Sequence, residues 1–261
     1  MNDATVARLG DELYQALRSN SVLARLTARE PAITIDDAYR ISLRFLQRRL
    51  DDGEKIIGKK IGVTSKPVQD MLDVHQPDFG FLTDRMHYPD GATIALAGKL
   101  IAPRAEAEIA FRLESDLAGR HITEADVLAA TACIMPCFEI VDSRIRDWKI
   151  RIQDTIADNA SCGVFVLGDT EVDPRQFDLP NLHVRVFKNG KLLSEGLGSA
   201  VQGNPLTAVA WLANTLGRYD IPLLAGDIIL SGSVVPLEPV ASGDEMRCDV
   251  QGLGVVHCRF V

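Results

Sequence analysis

Arg104-Ala105-Glu106-Ala107-Glu108-Ile109-Ala110-Phe111-Arg112-Leu113 alternates in the manner of a β-strand. Residues two apart on a strand share a face, at about 6.8 Å between Cα atoms. Ala107, Ile109, Phe111 and Leu113 then make an apolar face, and Glu106 and Glu108 both point the other way. Two carboxylates held that close repel unless a proton or a cation lies between them. A third acid, Glu139, lies in the apolar run Cys133-Ile134-Met135-Pro136-Cys137-Phe138-Glu139-Ile140-Val141, which reads as a buried strand with Pro136 at an edge or bulge. Burying a carboxylate there is costly unless it is paired or bound to a metal. Three glutamates without clustered histidines suit a hard divalent ion, Mg²⁺ or Mn²⁺, rather than zinc. The plain alternative is a solvated strand face for Glu106 and Glu108 and an arginine partner for Glu139; E-x-E alone is a common pattern.

The flanking sequence sets these strands in an α+β chain. Val6, Leu9, Leu13 and Leu17 recur at helical spacing, and Thr34 to Asp37 forms a capping box ahead of Ala38, Ile41, Phe45 and Leu46. From Ile56 the pattern turns to strands. Ile56 to Val63 is a glycine-containing strand, Ser65 can cap a short helix with Pro67 in its first turn, and His75 to Gly80 reads as a polar loop. Thr123 to Asp126 is another capping box, and Asn189-Gly190 marks a type I′ hairpin across 182–194. Asn204-Pro205 opens a helix carrying Leu206, Val209, Ala213 and Leu216, and strands follow at Asp227–Leu230, Glu245–Val250 and Val255–Val261. Strands and helices do not alternate strictly, which argues against a doubly wound sheet. The expected division is a helical extension over 1–55 packed on a catalytic body over 56–261.

Composition narrows the class of function. With 261 residues and 46% hydrophobic content the chain can bury a core without disulfides. Its net charge of −8 and lack of a basic stripe argue against nucleic acid as a partner; the densest basic stretch, Arg144 to Arg151, is broken by Asp147. No apolar run reaches the roughly 20 residues of a membrane span, and Met1-Asn2-Asp3 does not begin a signal peptide. Five cysteines, an odd number, read as reduced thiols in a cytoplasmic protein.

Six segments carry a resemblance that covers nearly the whole chain. They are Gly58-Lys59-Lys60-Ile61-Gly62-Val63-Thr64-Ser65, His75-Gln76-Pro77-Asp78-Phe79-Gly80, Arg104 to Phe111, Cys137-Phe138-Glu139-Ile140-Val141-Asp142-Ser143-Arg144, Asp158-Asn159-Ala160-Ser161 and Leu230-Ser231-Gly232-Ser233. In this order they resemble the 2-hydroxypenta-2,4-dienoate hydratases of the fumarylacetoacetate-hydrolase superfamily. The resemblance implies a mixed β-sandwich roll and Mg²⁺ or Mn²⁺ held by Glu106, Glu108 and Glu139. It implies a 2-hydroxy-dienoate or 2-oxo acid that chelates the ion through its carboxylate and 2-oxygen. The implied reaction is hydration to 4-hydroxy-2-oxopentanoate in meta-cleavage breakdown of aromatic compounds. Homo-oligomers, and association with the 4-oxalocrotonate decarboxylase of the same pathway, are implied as well.

The chemistry has its own logic. A double bond conjugated to a 2-oxo acid accepts water once the carbonyl is polarised, and a divalent Lewis acid does that. Proton transfers remain, and Lys60 is the first candidate for them. Lys59 turns to the other face of the strand, and a lysine near a metal ion and a second ammonium is expected to have a lowered pKa. Asp78 would pair with Lys60 or orient water; its alternative is a turn residue after Pro77. Ser161, Ser231 and Ser233 are candidate donors to the substrate carboxylate, and Asp142 and Arg144 are expected to pair near Glu139. Two rival readings share the metal site: 4-oxalocrotonate decarboxylase itself, and a non-catalytic subunit that stabilises it.

Overall fold

A computed structural model describes residues 1–261, leaving the side chains of Pro67, Met71 and Leu72 outside the description. Helix α1 (Asp3–Arg18) is capped by Asn2, whose side chain accepts from Thr5 N. A single turn, α2 (Leu26–Arg29), leads to α3 (Ile35–Asp51), which opens on the expected Thr34–Asp37 capping box. The apolar stripes of α1 and α3 are buried between the helices and the body, and Arg44 on α3 holds Asp11 on α1 at 2.8 Å.

The body follows as β1 (Ile56–Gly62), α4 (Lys66–Leu72), β2 (Asp78–Thr83), β3 (His87–Pro89), β4 (Thr93–Ile94), β5 (Arg104–Leu113), α5 (Glu124–Ala130) and β6 (Thr131–Val141). It continues with α6 (Ile152–Ala157), β7 (Cys162–Leu167), β8 (His183–Lys188), β9 (Lys191–Leu197), α7 (Pro205–Leu216), β10 (Ile228–Leu230), β11 (Glu238–Pro239), β12 (Glu245–Val250) and β13 (Gly254–Phe260). Asn189 and Gly190 both have positive φ, as a type I′ turn between β8 and β9 requires. None of the described helices is long and apolar enough to cross a membrane.

Eight strands form one sheet in the order β2-β1-β10-β5-β6-β7-β3, with β11 added on β5, and five form a second in the order β4-β13-β12-β8-β9. After β2 the chain makes one tight turn, Asp84–Met86, and re-enters as β3 alongside β7. That draws the two ends of the large sheet together and rolls it. Alternation then gives each strand an inside and an outside. Leu82, Ala110, Met135, Cys137, Phe165 and Leu230 fill the inside of the roll. Ile109, Phe111, Ile134, Phe138 and Ile229 face out, into the core shared with the second sheet. All five cysteines are free and buried.

Three local readings change. Asp78-Phe79-Gly80 is not loop but the start of β2, fully buried and paired along β1. Pro136 lies in the middle of β6, where the ladder to β7 breaks: Cys137 is the last residue paired there, and Ile134 next meets Val172. Its missing N–H therefore falls in a gap, and its carbonyl still accepts from Gly168 N at 2.9 Å. Asp142 does not pair with Arg144; it accepts from the backbone N–H groups of Ile101 and Ala102.

Candidate metal centre and active site

The inside-facing ends of four strands, β1, β2, β5 and β6, meet at one end of the roll. On β5, Glu106 and Glu108 share the inner face, and the β5–β6 register sets Glu106 directly opposite Glu139. One carboxylate oxygen from each of the three lies within 4.8 Å of the others. Lys60 on β1 points into the same space, with Nζ 3.3 Å from Glu139 Oε1. Asp78 on β2 stands opposite Gly62 on β1. A Cβ at Gly62 would collide with the Asp78 carboxylate and come 3.1 Å from Lys60 Nζ, so glycine there leaves room for both head groups. The expected Asp78–Lys60 ion pair does not form, and Lys60 pairs with Glu139 instead.

Burial here is nearly complete: Glu108 and Glu139 have no exposed surface and Asp78 has 1%. Glu106 is half-buried, at the outer rim. Yet both oxygens of Asp78, both of Glu139 and Oε1 of Glu108 accept no hydrogen bond. Glu108 Oε2 is the exception, taking the backbone N–H of Gly232 at 2.7 Å. Four acids face one ammonium, and a native interior leaves few such atoms unsatisfied without a reason. A hard divalent cation fits this donor set: all ligands are carboxylate oxygens, they converge, and their free lone pairs lack protein partners.

The charge imbalance sets the proton affinities. Burial, then Glu139 and Asp78, raise the Glu106 carboxyl to about 8 against the opposing pull of Lys60. Glu108 is pushed well up by burial and by its two glutamate neighbours. Burial also raises Asp78 to about 6, although Lys60 pulls it down. The expectation of a lowered pKa for Lys60 is reversed. Burial alone would lower it, but Glu139 and Asp78 outweigh burial and hold the ammonium above its ordinary value. Lys59, the neighbouring ammonium, is out of reach on the opposite face, 2.5 Å from Asp227 Oδ2.

The three serines surround this group differently. Ser231 Oγ donates to Ile109 O at 2.8 Å and Ser233 Oγ to Val235 O at 2.6 Å, so both hydroxyl protons serve the protein. Ser161 Oγ shares a 3.0 Å bond with Thr155 Oγ1. Ser161 ends a run, Asn159-Ala160-Ser161, with φ of 55°, 51° and 53°. Left-handed backbone costs a non-glycine residue roughly 1–2 kcal/mol. Asn159 secures the run by accepting from Phe81 N and donating to Phe81 O, which ties it to β2.

Two contributions go beyond the sequence reading, which marks the 231–233 loop but not what its backbone holds, nor any role for α3. Gly232 has φ of +110° and supplies the N–H that holds Glu108; a glycine flanked by serines after a strand was its visible trace. Tyr39, on α3, stacks on Phe79 of β2 with ring centres 4.3 Å apart and 12° between planes. That contact brings an N-terminal helix against the strand bearing Asp78, and no motif in the helix announces it.

Residues 55–261 match the fumarylacetoacetate (FAA) hydrolase C-terminal family. The chain is 60% identical to the 2-hydroxyhexa-2,4-dienoate hydratase of Comamonas testosteroni, over 96% of each protein. It is 61% identical to the 2-hydroxypent-2,4-dienoate hydratase of Pseudomonas putida, over 85% of this chain and 100% of that one. Among solved structures, the 4-oxalocrotonate decarboxylase from Pseudomonas putida G7, complexed with magnesium and adipate, matches with a TM-score of 0.97 at 34% identity. That match covers 100% of this chain and 99% of the other.

Proposed function

The chain belongs to the fumarylacetoacetate hydrolase family, and from that premise we propose that it is a divalent-metal-dependent hydro-lyase that hydrates a 2-hydroxy-2,4-dienoate of five or six carbons. For the five-carbon substrate, 2-hydroxypenta-2,4-dienoate, the product is 4-hydroxy-2-oxopentanoate. The observation that carries the reading is the set of orphaned carboxylate oxygens on Glu108 and Glu139, gathered with Glu106 beside Lys60 and Asp78. The hydratases at 60% and 61% identity favour this outcome over decarboxylation, whose representative stands at 34%.

Bound by Glu106, Glu108 and Glu139, Mg²⁺ or Mn²⁺ would supply Lewis-acid polarisation of the 2-oxo group. The residues of the chain handle the protons. Protonation of the dienol at carbon 5 with loss of the 2-hydroxyl proton gives the 2-oxo-3-enoate; water then adds at carbon 4, giving up one proton, while carbon 3 takes one. Lys60 Nζ, kept charged by the acids around it, is the proton donor to carbon. Asp78, raised to about 6, has a carboxyl suited to taking a proton from the attacking water near neutral pH. Ser231 and Ser233 act through the loop that presents Gly232, because their own protons are committed inward. Ser161, sharing a bond with Thr155, turns its hydroxyl to the substrate carboxylate.

The test is the loss of dienol absorbance by the pure protein with Mg²⁺ or Mn²⁺, its abolition by chelator, and identification of the 4-hydroxy-2-oxo acid. A panel of C5 and C6 dienoates sets the tail preference. Carbon dioxide release from 4-oxalocrotonate would replace the reading with a decarboxylase. No turnover of either substrate would leave a non-catalytic subunit. The same reading carries a homo-oligomer, a role in meta-cleavage catabolism, and association with a 4-oxalocrotonate decarboxylase. Light scattering of the chain alone and mixed with such a decarboxylase tests the two assemblies.

A further inference from the structure

We propose that Thr64 is a substrate-binding residue, its hydroxyl donating a hydrogen bond to an oxygen of the 2-oxo acid head. The proposal rests on the hydratase reading for the identity of that acid and deepens it.

Backbone geometry brings Thr64 in. Val63, just past the end of β1, has φ of +57°. A β-branched residue in the left-handed region is a genuine outlier, and such strain persists only where surroundings enforce it. Here the Gln69 side chain on α4 donates to Val63 O at 3.0 Å and holds the turn. The turn swings Thr64 under the loop after β10. There it packs so closely on Gly232 that a Cβ at that position would collide with its side chain. Gly232 in turn holds Glu108 through its N–H. Thr64 therefore stands one backbone group away from the carboxylate cluster.

Chemistry distinguishes Thr64 from the other hydroxyls nearby. The protons of Ser231 and Ser233 are bonded to backbone carbonyls, and Ser161 shares a bond with Thr155. Thr64 is 94% buried as a residue; among the described residues its hydroxyl makes no hydrogen bond, and the oxygen is not fully sealed, so open space remains in front of it. A hydroxyl with open space before it is free to donate to a ligand that enters that space. Beside a site for a bidentate oxyanion, an oxygen of the bound acid is the acceptor that satisfies it. A strained turn that holds a free donor beside the site, with a glycine opposite to admit it, is a positioning device rather than a packing accident.

The test compares Thr64→Val, which keeps the shape and removes the hydroxyl, with Thr64→Ser, which keeps the hydroxyl. Two readouts are taken with Mn²⁺ present: kcat/KM for the dienoate, and the Kd of 2-oxopentanoate, a saturated 2-oxo acid that does not react. We expect Thr64→Val to lose about 10- to 100-fold in both, with Tm and Mn²⁺ affinity unchanged, and Thr64→Ser to stay within about threefold of wild type. Wild-type affinity for the Val variant overturns the proposal. So does an equal loss for the Ser variant, which would mean that Thr64 acts only by filling space against Gly232. Wild-type protein that binds 2-oxopentanoate through Thr64 but does not hydrate dienoates would overturn the hydratase reading and leave this one standing. Wild-type protein that binds no 2-oxopentanoate overturns both the substrate class and the role of Thr64.

Discussion

Two buried carboxylate sites lie close together in this fold, and they are built in opposite ways. At one, Asp158 and Arg144 satisfy each other. Arg144 Nε meets Asp158 Oδ1 at 2.6 Å, Arg144 N donates to Oδ2 at 2.8 Å, and the remaining guanidinium nitrogens donate to Asp158 O and Cys162 O. At the other, Asp78, Glu108 and Glu139 leave five oxygen atoms without a hydrogen bond at equal depth. The first is closed and holds the turn after β6 to the end of α6. The second stays open, at the expense of stability, as the proposed metal site requires. Complete internal pairing marks a structural ion pair, and incomplete pairing at the same burial marks a binding site.

The contrast breaks first, and most strongly, in activity. Glu139→Gln keeps the shape and removes the charge; turnover of the dienoate should fall by at least about 10³-fold, equivalent to roughly 4 kcal/mol of transition-state stabilisation. Steady-state kinetics at saturating Mn²⁺ measures it, and retention of a tenth of wild-type kcat would remove Glu139 from the metal site. Asp158→Ala should instead cost about 3 kcal/mol of stability, because it strands the Arg144 charge in the interior. Urea denaturation reads that loss, and a change below about 1 kcal/mol would show the pair to be dispensable.

Metal binding sharpens the contrast further. At a hundred times its Kd, Mn²⁺ should stabilise the wild-type protein by about 2.7 kcal/mol and have far less effect on Glu139→Gln. This effect depends on pH in a definite direction. Glu106 sits at about 8 and Asp78 at about 6 in the folded chain, above the ordinary carboxyl range. Their stabilising contribution is complete below the unfolded value, roughly pH 4, and is lost as pH rises through 6 and then 8. Chelator-treated protein should therefore lose Tm between pH 5 and 8 relative to Glu106→Gln. Metal affinity should rise over the same interval as bound protons are displaced. A flat difference in Tm across that range would contradict the buried, mutually repelling cluster. The smallest effect is on the chelator-treated Glu106→Gln protein, which should be more stable than wild type by about 1 kcal/mol at pH 8, since a neutral amide avoids the cost of ionising Glu106 beside Glu139 and Asp78.

Much of this architecture was legible in the linear chain because the signals are local. Thr34 with Asp37 and Thr123 with Asp126 cap helices within three residues, and Asn189-Gly190 alone specifies its turn. Alternation along 104–113 put Glu106 and Glu108 on one face before any partner strand was known. Asp78 was harder, since a polar residue after Pro77 looks like a loop until β1 covers it. The Asp142–Arg144 pairing failed because both residues lie past the end of β6, where strand alternation no longer sets side-chain direction, and Asp158 offered Arg144 a better geometry.

The sequence by itself determined which residues carry charge into apolar strands, which face of each strand they occupy, and where most helices begin. Only the tertiary structure decided that Glu139 stands opposite Glu106, that β10 is inserted between β1 and β5, and that Thr64 and Gly232 close on Glu108. The reason is physical. Side-chain alternation is a property of two or three consecutive residues, whereas register and strand order are settled by which distant segments bury the most apolar surface while satisfying their backbone groups. No short stretch of chain contains that competition.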